Sequence, residues 1–371
     1  MKKILNIGLI GSGFMGKAHA NAFRNVSSFF NDLKFEPVLH TIADVNKKLG
    51  ERAKMNLGFQ NSTGDWRELI DNPDIDLVSI TSPNTLHEPM ALRAIQKNKI
   101  VYCEKPLSHD LKSAKKMLLA AKKNNTLTLV GYNFLRSPMI NLAKEIIDSG
   151  EIGEIWGFRG IHAENYMTDP KIPHSFRTDI KGGGALNDIG SHILSIARYL
   201  LGPLREVIGQ SETFIKNRKD KTVSKKVKID DRTIFLGKFS SGLLGSFEAC
   251  WASTGQKMNL SYEIIGSKGS IKFSYERLNE LHFYSSKYKK KFHGYSKIEA
   301  GPEHYPYGNF CPAAGHQLGF NDLKIIEVAH LLECYEKKID ASPGFEEAFE
   351  IQKTLDAIHK SCKEKKWIKV D

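Results

Sequence analysis

Asp188 and His192 are a pair of residues whose types and spacing could do chemistry. They lie four positions apart in GALNDIGSHILSIARYLLG, a stretch of helical character beside a glycine-rich turn. Residues four apart on a helix share one face, so a carboxylate would lie beside an imidazole. Histidine titrates near neutral pH and suits general acid–base chemistry. A helical Asp and His at this spacing, taken alone, are more often a surface pair, so both interpretations stand.

Lys105 is a second candidate, because it follows an apolar run in VYCEKPLS. A lysine at the carboxyl end of a parallel strand points into the crevice where such sheets bind ligands. The alternative is that Glu104 and Lys105 form an ion pair at the protein surface.

Three glycines lie between an apolar strand and a helix in NIGLIGSGFMGKAHANAF, residues 6–23. Gly11 would allow a sharp turn, Gly13 would leave room for a pyrophosphate, and Gly16 would let the helix pack close to the strand. The start of the helix then offers unpaired N–H groups to an anion. This context predicts dinucleotide binding, with a purely structural turn as the alternative.

Asp44 ends the second apolar run, HTIADVN, where a carboxylate can accept hydrogen bonds from the adenosine ribose hydroxyls. A 2′-phosphate at that position would be repelled, so the sequence predicts NAD rather than NADP. The spacing from the glycines is longer than usual, and we attribute it to a loop inserted at NVSSFFNDLKF. The alternative is an aspartate that caps the strand beside a structural turn.

The elements that must position these residues fall into two regions. Over residues 1–130, apolar runs alternate with helical stretches, which predicts an α/β domain with a doubly wound parallel sheet. Over residues 131–371, alternating strands dominate, and the turns SSG and GSKG join neighbours as hairpins of a mostly antiparallel sheet. Two helices stand out there, the one with Asp188 and a C-terminal one through FEEAFEIQKTLDAIHKSCKEKK.

The amino-acid composition limits the binding partners and the cellular compartment that we expect for this protein. The five cysteines are odd in number and never form C-x-x-C, which argues against a disulfide framework and a zinc site. The sequence lacks a run of 18 uncharged apolar residues and a signal peptide, so we expect a cytoplasmic protein without a membrane partner. The net charge is +12, with lysines concentrated in 216–228 and 285–297. Neither segment matches a nucleic-acid-binding module, so we interpret both as solvated edges or loops.

Together the motifs resemble the Gfo/Idh/MocA family of NAD(P)-dependent sugar and polyol dehydrogenases. They are G-x-G-x-x-G, EKP after the fifth strand, GYN after the sixth, and G-G-G-x-L-x-D-x-G-x-H in the second region. The resemblance runs from Lys3 to about Trp367. It implies a Rossmann domain that binds NAD(P), followed by an α/β domain with an open sheet, and self-association as dimers or tetramers. It also implies that Lys105, Asp188 and His192 form the catalytic group.

The resemblance further implies which residues contact ligands. The cofactor-binding set that it implies is Gly11, Gly13, Phe14, Met15, Gly16, Asp44, Ser82, Asn84, His87, Glu104, Lys105 and Asn133. The segments ENYMTDPKIPHSFRTDIKGGGAL and YPYGNFCPAAGHQLGFND resemble the branch acting on inositols and on sugars such as levoglucosan or L-glucose. Candidates for holding the substrate hydroxyls, besides the catalytic group, are Asn165, Tyr166, Arg177 and His316. Ser195 and Phe176 stand where the pattern often has aspartate and tryptophan, which could reshape the substrate pocket.

The chemistry can also be argued from residue types. When a carbinol carbon gives a hydride to nicotinamide, the hydroxyl must lose a proton to a base while a cation stabilises the developing alkoxide. Histidine suits the first task and lysine the second. The leading hypothesis is an NAD-dependent dehydrogenase of a cyclitol or neutral sugar. The alternatives are a non-enzymatic regulator gated by a dinucleotide and a dehydrogenase of phosphorylated or nucleotide-linked sugars.

Overall fold

The computed structural model describes residues 2–220 and 222–371, and the chain divides into two compact units. The first unit contains the residues up to 133 together with 319–349, and the second contains 134–318 and 350–371. The sequence pattern places all of 131–371 in one domain. In the structure, a late segment of the chain belongs instead to the N-terminal unit.

The first unit is built on a parallel sheet. Its strands are β1 (Lys3–Ile10), β2 (Phe35–Ala43), β3 (Asn61–Thr63), β4 (Leu77–Ile80), β5 (Ile100–Cys103) and β6 (Thr128–Val130). They pair in the order β3-β2-β1-β4-β5-β6, and every pairing is parallel. All residues of β4 and β5 are buried, as in strands covered on both faces, which explains their continuous apolar runs. The predicted parallel sheet is confirmed.

Five helices alternate with these strands. They are α1 (Phe14–Phe29), α2 (Lys47–Leu57), α3 (Trp66–Asp71), α4 (His87–Gln96) and α5 (Leu111–Lys123). Because α1 continues to Phe29, much of the extra spacing before Asp44 is helix. The expectation of an inserted loop there is wrong.

The second unit is built on a nine-stranded mixed sheet. The described residues of this unit form the strands β7 (Ile155–Ala163), β8 (Leu204–Glu212), β9 (Asn217–Asp220), β10 (Val223–Lys226), β11 (Arg232–Phe239), β12 (Leu244–Cys250), β13 (Asn259–Gly266), β14 (Gly269–Ser274), β15 (Glu280–Ser285), β16 (Ser296–Glu299) and β17 (Ile368–Lys369). The large sheet has the order β16-β15-β14-β13-β7-β12-β11-β8-β17, while β9 and β10 form a separate ribbon. Within the described part of the large sheet, β7 and β12 are the one parallel pair, so the mostly antiparallel prediction is confirmed.

The large sheet buries one face and exposes apolar side chains on the other. Phe235 and Phe247 are buried, and their rings stack with centroids 4.6 Å apart. Ile234, Leu236 and Leu244 lie on the exposed side, at 42%, 38% and 51% exposure. This alternation is typical of an antiparallel sheet with one face on the core.

Helices α6 (Pro138–Asp148) and α7 (Ser191–Leu201) belong to the second unit, and α8 (Phe320–Lys337) belongs to the first. Helix α9 (Phe345–Glu364) begins in the first unit and continues in the second. The sequence analysis missed α8. A surface helix is recognised by apolar residues that recur on one side, but residues 323–329 of α8 are all buried, so this helix has no such one-sided pattern. Within the described part of the chain, no helix is both long enough and apolar enough to span a membrane.

Candidate active site

The glycine turn of the first unit has the geometry of a nucleotide cradle. Gly11 adopts a φ of +98°, which L side chains rarely adopt, and its N–H donates to the Ala43 carbonyl at 2.9 Å. A Cβ added at Gly16 would lie 2.0 Å from the Gly11 carbonyl oxygen, so α1 packs against the turn. A Cβ added at Gly13 would meet no atom within 4 Å. Open space therefore lies at the start of α1, where unpaired N–H groups favour an anion.

Asp44 follows β2 and is held beside this turn by a residue that the sequence analysis missed. Its Oδ2 accepts hydrogen bonds from the Ser12 N–H at 3.0 Å and from the Ser12 hydroxyl. Its Oδ1 accepts from the Val45 N–H at 2.7 Å. The sequence did offer a signal for this contact, because Ser12 places a hydroxyl group inside the glycine turn. The carboxylate is thus fixed at the position expected for ribose recognition.

The remaining cofactor candidates lie near the ends of β4 and β6 or at the start of α1. Phe14 opens α1 and is 70% exposed, while Met15 is half-buried. Ser82 follows β4, and Asn84 is buried just beyond it. Asn133 follows β6, is 2% exposed, and has an amide nitrogen without a hydrogen-bond partner within the described residues. An orphaned buried donor of this kind fits a bound ligand.

His87 ties two of these loops together. One ring nitrogen lies 3.0 Å from the Ser82 carbonyl, and the other lies 3.1 Å from the Pro106 carbonyl. Burial lowers the pKa of His87, although the carbonyl contacts act in the opposite direction. Together with the open helix start, Asp44 and Asn133, this arrangement fits NAD.

Lys105 follows β5 in a turn whose preceding residue is held by a buried ionic cluster. Glu104 is 5% exposed, and its Oε2 accepts from the Lys105 N–H at 3.2 Å. Its Oε1 lies 2.9 Å from His19 Nε2 and 2.7 Å from Lys324 Nζ. Glu104 was predicted to bind the cofactor, but both carboxylate oxygens contact protein groups. Burial alone would raise the pKa of Glu104, but Lys324 and His19 outweigh it and hold that pKa far below its usual range.

Lys324 and Glu327 complete this cluster from α8, and the sequence analysis missed both. Each is fully buried, and their charged atoms lie 2.8 Å apart. The Tyr102 hydroxyl accepts from Lys324 at 3.1 Å and donates to Glu327. Burial would lower the pKa of Lys324, but the two carboxylates raise it overall. The available signal was a lysine and a glutamate three apart inside the apolar run LKIIEVAHLL.

Asp188 and His192 of the second unit do not share one regular α-helix. Asp188 lies in a π-helical turn, Leu186–Gly190, and His192 lies in α7, which follows directly. The expectation of a single α-helical face is therefore corrected, because the wider turn changes the angle between the two side chains. Single π-helical turns occur frequently at functional sites.

Asp188 gathers two of the predicted substrate residues. Its Oδ2 accepts from the Tyr166 hydroxyl at 2.9 Å and from Arg177 Nε at 3.0 Å. Burial and the Asp188 carboxylate raise the pKa of Tyr166, so its phenol stays a donor at neutral pH. Burial would lower the pKa of Arg177, but Asp188 raises it overall. Phe176, which replaces a tryptophan of the family pattern, stacks under the Arg177 guanidinium at 4.7 Å.

His192 is 5% exposed and packs on Phe134, with ring centroids 4.5 Å apart. Ser195 stands where the family pattern often has aspartate, and its hydroxyl donates to the His192 carbonyl at 2.7 Å. That position therefore adds no negative charge beside the imidazole.

The other two substrate candidates have different surroundings. Oriented to satisfy both its polar atoms, the Asn165 amide donates to the Gln256 carbonyl at 3.1 Å and accepts from Lys257 at 3.3 Å. His316 is exposed, and its carbonyl accepts from the Tyr307 hydroxyl. The structure thus groups Tyr166 and Arg177 with Asp188, and gives Asn165 and His316 separate partners.

Two buried residues support the turn and the loop beside it. Asp230 accepts from the Leu186 N–H at 2.8 Å at the start of the π-helical turn, and burial raises its pKa. Arg218, on β9, donates to the carbonyls of Met167, Asp169 and Ile172 at 2.6, 2.9 and 3.2 Å, just after Tyr166. Arg218 is 1% exposed, so the expectation of a wholly solvated 216–228 segment is wrong at this residue.

The comparisons with known proteins agree with this geometry. Residues 5–132 match the oxidoreductase family with an NAD-binding Rossmann fold, and residues 140–272 match the GFO/IDH/MocA C-terminal domain. The chain is 36% identical to levoglucosan dehydrogenase of Pseudarthrobacter phenanthrenivorans over 99% of this chain and 98% of that protein. It is 28% identical to myo-inositol 2-dehydrogenase of Thermotoga maritima, covering 72% of this chain and 74% of that protein.

The chain is also similar to solved structures. A levoglucosan dehydrogenase in complex with NADH and L-sorbose superposes with a TM-score of 0.97 at 36% identity, covering 100% of this chain and 99% of that one. The glycine cradle, the Asp44 carboxylate and these matches lead to one conclusion. The chain belongs to the GFO/IDH/MocA family of oxidoreductases and carries that family's NAD-binding Rossmann domain.

Proposed function

We propose that this protein oxidises a secondary hydroxyl of a neutral cyclitol or sugar, with NAD as hydride acceptor. The observation that carries the proposal is the Asp188 carboxylate, which binds the Tyr166 phenol and the Arg177 guanidinium beside the turn that leads to His192. Three groups suited to hydroxyl binding converge there. Relatives named as levoglucosan dehydrogenase and myo-inositol 2-dehydrogenase support the substrate class.

In this proposal each catalytic residue has one task. Bound NAD supplies the acceptor for the hydride. An imidazole nitrogen of His192 takes the hydroxyl proton, and the Lys105 ammonium stabilises the negative charge that develops on oxygen. Asp188 orients the substrate through a neighbouring hydroxyl, with Tyr166 and Arg177 fixing its carboxylate. Asn165 and His316 are proposed to bind further hydroxyls.

The proposal also assigns roles to regions. Residues 1–130 bind the dinucleotide, and residues 131–371 bind substrate and mediate self-association. We propose that a second copy covers the outer face of the large sheet, where a groove of about 260 Å³ is lined by Trp156, Leu236 and Leu244, among others. Exposed apolar side chains on one sheet face favour such an interface. The free state of all five cysteines supports a cytoplasmic location.

The test is a screen of levoglucosan, inositol isomers and neutral monosaccharides for NAD reduction by the purified protein. We expect turnover with at least one neutral compound, and turnover with its phosphorylated form should be poorer. The His192→Asn variant is the control for contaminating activity. Binding of NAD without turnover of any compound would favour the regulator hypothesis, and a much higher kcat/KM for a sugar phosphate would favour the alternative enzyme.

Self-association is tested separately by light scattering of the wild type and of Leu236→Glu, on the proposed interface. Leu119→Glu is the matched control, since Leu119 is 56% exposed on α5 of the first unit. We expect only Leu236→Glu to reduce the molecular mass in solution. A monomeric wild type would contradict the proposed interface.

A further inference from the structure

His162, which is buried, and Glu164, which is partly buried, form a pair beside the π-helical turn, and neither residue has a role in the proposed reaction. His162 lies on β7 and is 1% exposed. Its Nδ1 lies 2.8 Å from the Ile189 carbonyl oxygen, and its Nε2 lies 2.9 Å from Glu164 Oε1. Ile189 is the residue directly after Asp188 in the turn.

The close approach of β7 and α7 explains why His162 can reach the turn. Gly160, two residues before it on the same strand face, leaves space that Ile193 of α7 fills. A Cβ added at Gly160 would lie 2.7 Å from Ile193 Cγ1. The strand is therefore pressed against the helix that carries His192.

Hydrogen-bond chemistry fixes how many protons the pair holds. A backbone carbonyl oxygen only accepts, so Nδ1 of His162 carries a proton. An ionised carboxylate also only accepts, so the contact between Nε2 and Oε1 needs a second proton. That proton lies on Nε2, giving imidazolium with carboxylate, or on Glu164, giving neutral imidazole with carboxylic acid. In both cases the pair is neutral overall, and Nδ1 remains a donor to Ile189.

The pair also lies close to the proposed base. The ring centroids of His162 and His192 are 5.6 Å apart, and Phe134 contacts both rings at 6.3 and 4.5 Å. A shift of the Ile189 carbonyl would therefore move the turn between Asp188 and His192 and disturb the packing around His192.

We propose that His162 and Glu164 are positioning residues that hold the turn of Asp188 in register with His192. Glu164 anchors Nε2 of His162, which holds the ring in the orientation in which Nδ1 donates to the Ile189 carbonyl. Without Glu164, the ring loses this second anchor and can rotate away from that carbonyl. This inference rests on the roles proposed above for Asp188 and His192.

Three variants separate the two contacts. His162→Asn keeps an amide donor near the position of Nδ1 and removes the partner of Glu164. His162→Phe removes both contacts. Glu164→Ala removes the contact at Nε2 and changes a side chain that is 17% exposed, so it is the variant that best preserves folding. All are measured as full-length protein with levoglucosan and NAD, or with another substrate found in the screen.

We expect His162→Phe to lower kcat about 10- to 100-fold, as small misplacements of reacting groups do, while the Kd for NAD stays within about twofold. His162→Asn should recover most of that loss, and Glu164→Ala should lie between the wild type and His162→Phe. A wild-type kcat in His162→Phe, with only a lowered melting temperature, would overturn the proposal. If His162→Phe fails to fold, a wild-type kcat in Glu164→Ala would overturn it.

A second readout does not depend on activity. In histidine-selective 15N NMR of the wild type at neutral pH, Nδ1 of His162 should be protonated and Nε2 should carry or share a proton. Glu164→Ala should remove the shared proton. An unprotonated Nδ1 in the wild type would overturn the proposal. If His192→Asn keeps full turnover while this NMR signature is present, the proposed function fails, but the protonation assigned to His162 and Glu164 is unaffected.

Discussion

Lys105 and the Asp188 turn are both supported by buried polar groups, but the groups differ in kind. In the first unit, the turn of Lys105 is held by charges that face each other, since Lys324 binds both Glu104 and Glu327. His19 adds a hydrogen bond to Glu104, and burial lowers the pKa of this imidazole. In the second unit, the supporting side chains bind the main chain. Asp230 binds the N–H of Leu186, and His162 binds the carbonyl of Ile189.

This difference has a physical consequence. A buried charge cluster is stable only while every partner keeps its charge, because an uncompensated charge in the interior is costly. A side chain that binds the backbone needs the right atom at the right place, and its charge matters less. The stability of the Lys105 turn should therefore depend on charge, and the stability of the Asp188 turn should depend on hydrogen-bond geometry.

The largest effect is expected at the residues proposed to be catalytic. His192→Asn should lower kcat by about 10² to 10⁴, or roughly 3 to 5 kcal/mol of barrier, because it removes the proposed base. Lys105→Ala should be at least as damaging, and the double variant should lose less than the sum if the two residues act as one unit. Steady-state turnover measures these losses, and calorimetry should show nearly unchanged NAD affinity. Fully additive losses would contradict a joint role.

Removal of one charge from the cluster should strongly destabilise the first unit. Lys324→Met leaves Glu104 and Glu327 without their shared cation, which should cost about 3 to 5 kcal/mol. Hydrogen exchange should rise first in β5 and β6. The matched control is Lys116→Met, which breaks the ion pair between Lys116 and Glu88. Because Lys116 is 53% exposed, this change should cost at most about 1 kcal/mol of stability. Equal losses in the two variants would show that the cluster adds no stability.

Acidification should affect the stability of the Lys105 turn and of the Asp188 turn differently. The pKa of Glu104 is lowered in the folded state, so its stabilising contribution is present above the carboxyl pKa of the unfolded chain and is lost as pH falls. The pKa of Asp230 is raised, so protonation on acidification favours the folded second unit at that residue. Each unit of pKa difference corresponds to about 1.4 kcal/mol. Hydrogen exchange followed from about pH 5 down to about pH 3, where the carboxyl group of the unfolded chain takes up its proton, should loosen β5 before the Leu186–Gly190 turn, and the reverse order would contradict the comparison.

Asp44→Ser tests whether charge also governs cofactor choice in the first unit. The wild type should prefer NAD, and the variant should lose about tenfold of that preference, which is about 1.4 kcal/mol. The ratio of kcat/KM with NAD and with NADP measures it. Asp65→Asn, at the N-cap of α3, is the control and should leave the ratio unchanged. A wild type that works better with NADP would contradict the assignment of Asp44.

Asp230→Asn should have the smallest effect. Asparagine keeps an oxygen that can accept from the Leu186 N–H, and burial already disfavours the charged carboxyl group. We expect a loss of about 1 kcal/mol in the free energy of unfolding, measured by denaturant titration. A loss as large as that of Lys324→Met would show that the second unit also depends on buried charge.

The sequence by itself determined the parallel sheet and the cofactor, because their signals are local. Continuous apolar runs predict strands buried on both faces, and three glycines at a strand-to-helix junction predict the open turn that the structure has at Gly13. Asp44 was predicted because it directly follows an apolar strand.

Tertiary structure alone decided how those residues are held. Lys324 lies 220 positions from Glu104 in the chain, and Asp230 lies 44 positions from Leu186, so no local pattern links the partners. Helix α8 was missed because it is buried on several sides, and the π-helical turn was missed because a regular 3.6-residue period was assumed. Long-range packing chose these partners, because a buried polar group must find a hydrogen-bond partner among whatever side chains the fold brings beside it.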